Sequence, residues 1–260
     1  MVADYDSWAE FYDLVEGGRD NASLLGFYGS LITQQTRSLL ELGCGTGAIT
    51  AALSQIMAKC HNGYYGITIS GVDVSPEMLR IARTRDRRIE WVEGSFRSPR
   101  VSGPYDMVIS CFYALQHVLG DDELVAAFRV VRGLLAPQGV FAFDVIQPRF
   151  AELKRPQTDR LISRVKDVDG RSFEIRGDWS YDAATRILTL DRRLVSPDES
   201  TAPLGRLRYR MRQYLPDEIF RSLGDAGLAA VHRFGDFDRS PFTGKSRNLV
   251  VVCRAATGGG

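Results

Sequence analysis

Three glycines within five residues, Gly43, Gly45 and Gly47, follow an apolar run that ends in the acid Glu41. A loop of this kind lets a ligand lie against bare backbone, where a Cβ would collide with it. Further along, Asp73 closes a second apolar run. A carboxylate there can accept both hydroxyl hydrogens of a ribose. The two features describe a cradle for a nucleoside cofactor. Gly43, Gly45 and Ala48 also fit the looser G-x-G-x-x-A dinucleotide form, so the loop alone leaves the choice of nucleoside open. Beyond the later run Met107-Val108-Ile109 stand Tyr113 and His117. An imidazole can take a proton near neutral pH, and a tyrosine hydroxyl can position an acceptor. Backbone satisfaction for the histidine and packing for the tyrosine are the plainer alternatives.

Metal chemistry is not expected. Cys44, Cys60, Cys111 and Cys253 are far apart without a C-x-x-C pair, and His61, His117 and His232 have no partner at ligand spacing. The thiols read as buried and reduced, and the chain as cytoplasmic. His61 and His232 read as structural.

The pattern of apolar residues supplies the frame for these groups. Helices are expected over 5–15 and 21–34, then strands over 39–42, 66–74, 89–92, 105–111 and 140–145. Helices over 47–57, 75–83 and 121–135 separate them. Ser75-Pro76 opens one with an N-cap and a first-turn proline, and Ala136-Pro137-Gln138-Gly139 stops another. Strands that are nearly continuous apolar runs, alternating with helices, call for a parallel sheet covered on both faces. From 161 to 214 the helical period vanishes. Strands are expected over 162–168, 171–181, 186–195 and 205–215, with Asp169-Gly170 as a hairpin turn. Along the last of these, Leu207, Tyr209 and Met211 alternate with Arg206, Arg208, Arg210 and Arg212, which puts arginines on one face with partners such as Asp191. A helix over 216–226 and strands over 229–234 and 248–254 close the chain.

With 260 residues, the chain fits one large domain or a domain with an insertion. A net charge of +1 argues against a protein built to wrap nucleic acid. No run approaches the roughly 20 apolar residues of a membrane span, and the acidic, aromatic start does not read as a secretory signal.

Four segments occur in one order: Glu41-Leu42-Gly43-Cys44-Gly45-Thr46-Gly47, Gly71-Val72-Asp73-Val74-Ser75-Pro76-Glu77-Met78, Val92-Glu93-Gly94-Ser95-Phe96, and Tyr105-Asp106-Met107-Val108-Ile109-Ser110-Cys111. In this order the chain resembles the class I S-adenosylmethionine (SAM) methyltransferases of small-molecule type, most of all amino-sugar N-methyltransferases and glycine N-methyltransferase-like enzymes. The resemblance implies an α/β, Rossmann-like, seven-stranded, mostly parallel sheet, with a small antiparallel β cap inserted before the last helix. It divides the chain into a helical lid at 1–36, a SAM-binding core at 37–150, the cap at 151–215, completion of the core at 216–256 and a tail at 257–260. It places Gly43, Cys44, Gly45 and Gly47 on the methionine part of SAM and Asp73 on the ribose. Val74 and Met78 would touch the adenine face, with Gly94, Ser95 and Phe96 along its edge. Glu41 would orient the loop or the donor's amino group, with Cys111 packed beneath the donor and Gln116 nearby. The aromatic Tyr5-to-Asp13 segment resembles a lid whose Tyr12 or Tyr5 reaches the donor or the acceptor; a docked amphipathic helix is the alternative. His117, Tyr113 and Tyr12 are the expected catalytic side chains. Two departures from the family stand out. Asp73 lies about ten residues further from the loop than the usual ~20, and Ser95 replaces a frequent aspartate.

The expected reaction is methyl transfer to nitrogen, less readily to oxygen, of a small-molecule acceptor, releasing S-adenosylhomocysteine (SAH). Three alternatives stay open: an O-methyltransferase with His117 as base, an NAD-dependent oxidoreductase, and a non-catalytic SAM-binding protein. A homodimer paired through the inserted sheet is the assembly considered.

Overall fold

The buried strand β1 (Ser38–Leu42) lies at the heart of a seven-stranded sheet of order β10-β11-β5-β4-β1-β2-β3 in a computed structural model that describes residues 5–17, 21–196 and 202–256. Residues 1–4 and 18–20 of the expected lid and the expected tail at 257–260 lie outside the described residues. The strands β2 (Thr68–Asp73), β3 (Glu90–Glu93), β4 (Tyr105–Ser110) and β5 (Leu135–Ile146) run parallel to β1, while β11 (Asn248–Ala255) pairs antiparallel with both β5 and β10 (Leu228–Phe234). This is the expected Rossmann-like α/β sheet.

Alternation along these strands builds two cores. Leu40, Val108, Phe141 and Phe143 pack on one face with Phe128 of α5 (Asp121–Leu134) and Leu223 of α7 (Pro216–Asp225). Leu39, Met107, Ile109 and Ala142 pack on the other with α2 (Asn21–Gly29) and α3 (Ala48–Cys60), through Leu24, Tyr28, Leu53 and Met57. Local chemistry starts the helices where the structure needs them. In α4 (Pro76–Arg85), Ser75 Oγ accepts from the Met78 amide at 3.1 Å with Pro76 in the first turn. In α7, Glu218 reaches back to accept from the Leu215 amide at 2.8 Å.

Several boundaries differ from expectation: the second helix stops at Gly29 rather than at 34, the first strand of the cap spans Gln157–Lys166 rather than 162–168, and two further differences bear on the site. Residues 136–139 do not form a loop: Tyr105 pairs with Leu135 and Met107 with Val140, so the extra residues bulge out within β5. The long approach to Asp73 is an extension of α3 to Cys60 followed by the turn at Asn62-Gly63, both with positive φ. His61 ties this turn back by a 2.8 Å bond between Nε2 and the Thr36 carbonyl, the structural place expected for it.

After β5 and the short α6 (Phe150–Leu153), an antiparallel sheet forms from β6 (Gln157–Lys166), β7 (Ser172–Asp182), β8 (Ile187–Val195) and β9 (Gly205–Arg212), in that order. Gly170, at φ +81°, turns the first hairpin. Arg206 meets Asp191 through two bonds of 2.8 and 2.5 Å, while Arg212 instead turns inward, buried, to Asp121 at 3.0 Å. The inward face of the cap, Ile175, Leu194 and Leu207, encloses Trp8 and Val15 of the N-terminal segment in a third core. That segment is a 3-10 turn (Asp6–Trp8) followed by α1 (Ala9–Glu16). Among the described residues no helix is long and apolar enough to cross a membrane.

Candidate active site

The register of the parallel strands brings the sequence motifs to one end of the sheet. Glu41 pairs with Gly71 on one side and Ile109 on the other, so the turn after β1, Asp73 and Cys111 emerge together. The amides of Gly43 and Cys44 both donate to the Val72 carbonyl, at 2.8 and 3.0 Å. Gly43 has a φ of +78°, and a Cβ there would stand 2.6 Å from the Ala114 Cβ. No other residue type fits that approach. Gly45 lies beneath the Tyr12 ring, which stands 3.9 Å from where its Cβ would be. The result is a cavity of about 500 Å³ walled by the loop, the ends of β2 and β3, and the exit of β4.

Of the expected donor residues, Tyr12, Glu41, Gly43, Cys44, Gly45, Asp73, Val74, Met78, Gly94, Ser95, Phe96 and Cys111 line this cavity, and so does His117. Asp73 holds its carboxylate with one oxygen on the Gly45 amide at 2.8 Å and the other on the Ser75 amide at 2.9 Å. Each oxygen keeps a second lone pair toward the cavity. Burial raises the Asp73 pKa against the pull of those amides. Glu41 is more extreme. Burial pushes its carboxyl up to about 8, opposed by hydrogen bonds from Thr50 and Cys111. Two carboxyls held against their preference for water form a site that gains from a cationic ligand.

Two of the expected donor residues stand elsewhere. Gly47 has a φ of +76°, but its Cβ direction points 2.4 Å from Trp91 Cη2 and 2.9 Å from the Ala82 Cβ. It is a packing glycine that seats α3 against α4 and β3, away from the cavity. Gln116 is buried with both ends used: Nε2 donates to the Arg212 carbonyl and Oε1 accepts from the Ile146 amide, each at 2.9 Å. It ties the β4 exit to the cap.

That exit is strained. Phe112 and Tyr113 both have left-handed φ, +54° and +63°, a conformation that costs about 1–3 kcal/mol per residue for non-glycine side chains. A network pins it. The buried Asp144 accepts from Tyr28 at 2.7 Å and from the Tyr113 amide at 3.1 Å, and the Tyr113 hydroxyl donates to Asn248 at 3.1 Å. Tyr113 therefore lines not the main cavity but a smaller one beside it, beneath the cap. His117 closes the following 3-10 turn (Ala114–His117). Burial holds its pKa down to about 4, opposed by a hydrogen bond to the Arg210 backbone. The ring is thus neutral near pH 7. With one ring nitrogen on Arg210, Nε2 accepts from the Tyr5 hydroxyl at 3.0 Å.

The acids of the N-terminal segment, which the sequence reading passed over, fasten it across the cavity. Asp6 accepts from Ser75 Oγ at 2.5 Å, Asp13 accepts from Thr46 Oγ1 at 2.7 Å and pairs with Arg85, and Glu10 pairs with Arg80. Asp6 and Asp13 stand one heptad apart, on one side of the helical segment, and that spacing was the available signal. At the far rim Arg97 and Glu123 also line the cavity, 3.3 Å apart, where no motif marked them. All four cysteines are free, and no cluster of metal-ligating side chains occurs among the described residues.

Comparison with known proteins finds likenesses that bear on this geometry. Residues 39–139 match the family described as "Methyltransferase domain". The chain is 26% identical over 265 residues to the cypemycin N-terminal methyltransferase of a Streptomyces species, covering 95% of this chain and 96% of that one. It is 29% identical over 152 residues to the dTDP-3-amino-3,6-dideoxy-alpha-D-glucopyranose N,N-dimethyltransferase of Streptomyces fradiae, covering 55% and 54%. The CcbJ methyltransferase of Streptomyces caelestis superposes with a TM-score of 0.76 at 26% identity over 97% of both chains. The loop that only glycine can make, the paired carboxyls that favour a cation and the motif order agree with these likenesses: residues 39–139 are a methyltransferase domain, the chain is similar over nearly its whole length to methyltransferases, and its methyl donor is SAM.

Proposed function

We propose that the protein transfers the SAM methyl group to a nitrogen atom of a small-molecule acceptor. The state of His117 carries this reading. A hydroxyl acceptor must surrender its proton to a base as it attacks. The only imidazole at the cavity has its pKa held down to about 4, and its Nε2 lone pair is directed to Tyr5. It is too weak a base for an alcohol. A neutral amine attacks with its own lone pair and needs only to be held in line. The relatives named for an amino terminus and for an amino sugar support the same choice.

Bound SAM supplies a methyl group already attached to a good leaving group. The residues hold, orient and shield. Gly43, Cys44 and Gly45 give the donor bare backbone, Asp73 takes the ribose hydroxyls, and Val74, Met78, Gly94, Ser95 and Phe96 enclose the adenine. Glu41 and Tyr12 serve the amino-acid end, with Cys111 beneath. Tyr5 and His117 face the acceptor, and the latched segment excludes water. The likeness to methyltransferases supports this reading over the NAD-dependent and non-catalytic alternatives.

The test supplies SAM carrying a ¹³C methyl group and a panel of amines and alcohols, and reads the product by NMR. N-methyl signals are expected, with a rate that rises with pH as the amine loses its proton and shows no inflection from His117. An O-methyl product abolished by His117→Ala would overturn the reading.

A further inference from the structure

Arg192 occupies an inward position of β8, on the same face as Leu190 and Leu194, where packing alone would call for another aliphatic chain. Its side chain is 11% exposed and donates from Nη1 to Glu16 of α1 at 2.6 Å; Glu16 is 10% exposed. Removing two charges from water costs several kcal/mol each, and an apolar pair of equal volume commonly serves stability as well. A use other than stability is therefore indicated. The pair lines the small cavity under the cap together with Tyr5, Tyr113, His117 and Tyr209. Tyr5 and His117 also wall the donor cavity, so the two spaces adjoin.

We propose that Arg192 anchors a carboxylate of the acceptor, and that the acceptor is an amino carboxylate whose nitrogen points toward Tyr5 and His117. The inference rests on the N-methylation reading above. A guanidinium offers five N–H donors in a fork that matches a carboxylate, and the bond to Glu16 leaves an edge for a second one. The space of about 50 Å³ accommodates a carboxyl group and not a nucleoside diphosphate. Glu16 belongs to the N-terminal segment, so the anchor is complete only when that segment is latched. Carboxylate binding and closure are thereby linked.

The experiment uses the full chain saturated with SAH, titrated with L-alanine and with L-alaninamide. Wild type is expected to bind L-alanine about ten-fold or more tightly than the amide, the scale of a charge-assisted hydrogen bond. The double variant Glu16→Leu/Arg192→Met keeps lid and cap joined by apolar contact. It should lose that preference while SAH affinity and melting temperature hold. Equal binding of the two probes, no binding of L-alanine, or a preference surviving in the double variant would each overturn the anchor. Methyl transfer separates this from the parent reading. Equal methylation of both amines removes the anchor alone, whereas transfer only to alcohols removes the N-methylation reading itself.

Discussion

Glu41 and His117 are titratable groups that the fold holds away from their ordinary states, in opposite senses. With its carboxyl raised to about 8, Glu41 is mostly protonated at pH 7 before the donor arrives. A cation beside it restores the charged form and expels the proton. SAM binding at pH 7 should therefore release a large fraction of one proton, read as a dependence of the calorimetric enthalpy on buffer ionisation heat. Glu41→Gln should remove most of it. His117 has a folded pKa near 4, below its unfolded value of about 6.5. Between those values the unfolded chain binds a proton that the folded one refuses, so stability is lost as pH falls from 6.5 toward 4. His117→Gln should show a smaller drop in melting temperature between pH 7 and pH 5 than wild type. These residues were legible by type and position, but their protonation was not. Burial sets it, and burial comes from the tertiary fold. The same limit misplaced Gly47 and Gln116: the motif marks a glycine or an amide, and only the packing of Trp91, or the reach of Arg212 and Ile146, decides which way it faces.

Among the elements, the N-terminal segment is the one whose placement most affects the site. It joins the cap through Trp8, which is fully buried, and closes over the donor cavity through Asp6 and Asp13. Gly205 at the start of β9 makes the fit possible, since a Cβ there would stand 2.8 Å from Phe11 and 3.4 Å from Trp8. Gly205→Val should cost about 1–3 kcal/mol by overpacking. It should also raise the lid, weakening SAM binding several-fold and speeding proteolysis within residues 5–17. Thermal melting, SAM titration and timed digestion check the three effects. The elements themselves were readable because their apolar periods are strong. The parallel core strands and the Asp169-Gly170 hairpin stand where the pattern puts them. Residues 136–139 misled because Pro137 and Gly139 signal a loop, while pairing with Tyr105 holds them as a bulge in β5. The acids Asp6 and Asp13 that fasten the segment went unread because their partners, Ser75 and Thr46, are distant in sequence.

At the scale of the whole molecule, one end of a parallel sheet carries a donor crevice, and a lid and a cap roof it. Loop and carboxylate come from neighbouring strands, β1 and β2, so the crevice exists only when the sheet is in register. That crevice should hold SAM by its ribose and its amino-acid end at once. Titration of SAM into wild type and Asp73→Ala tests this most directly. The affinity should fall ten-fold or more, about 1.4 kcal/mol, with the fold intact by circular dichroism. An affinity unchanged by the substitution would contradict the account.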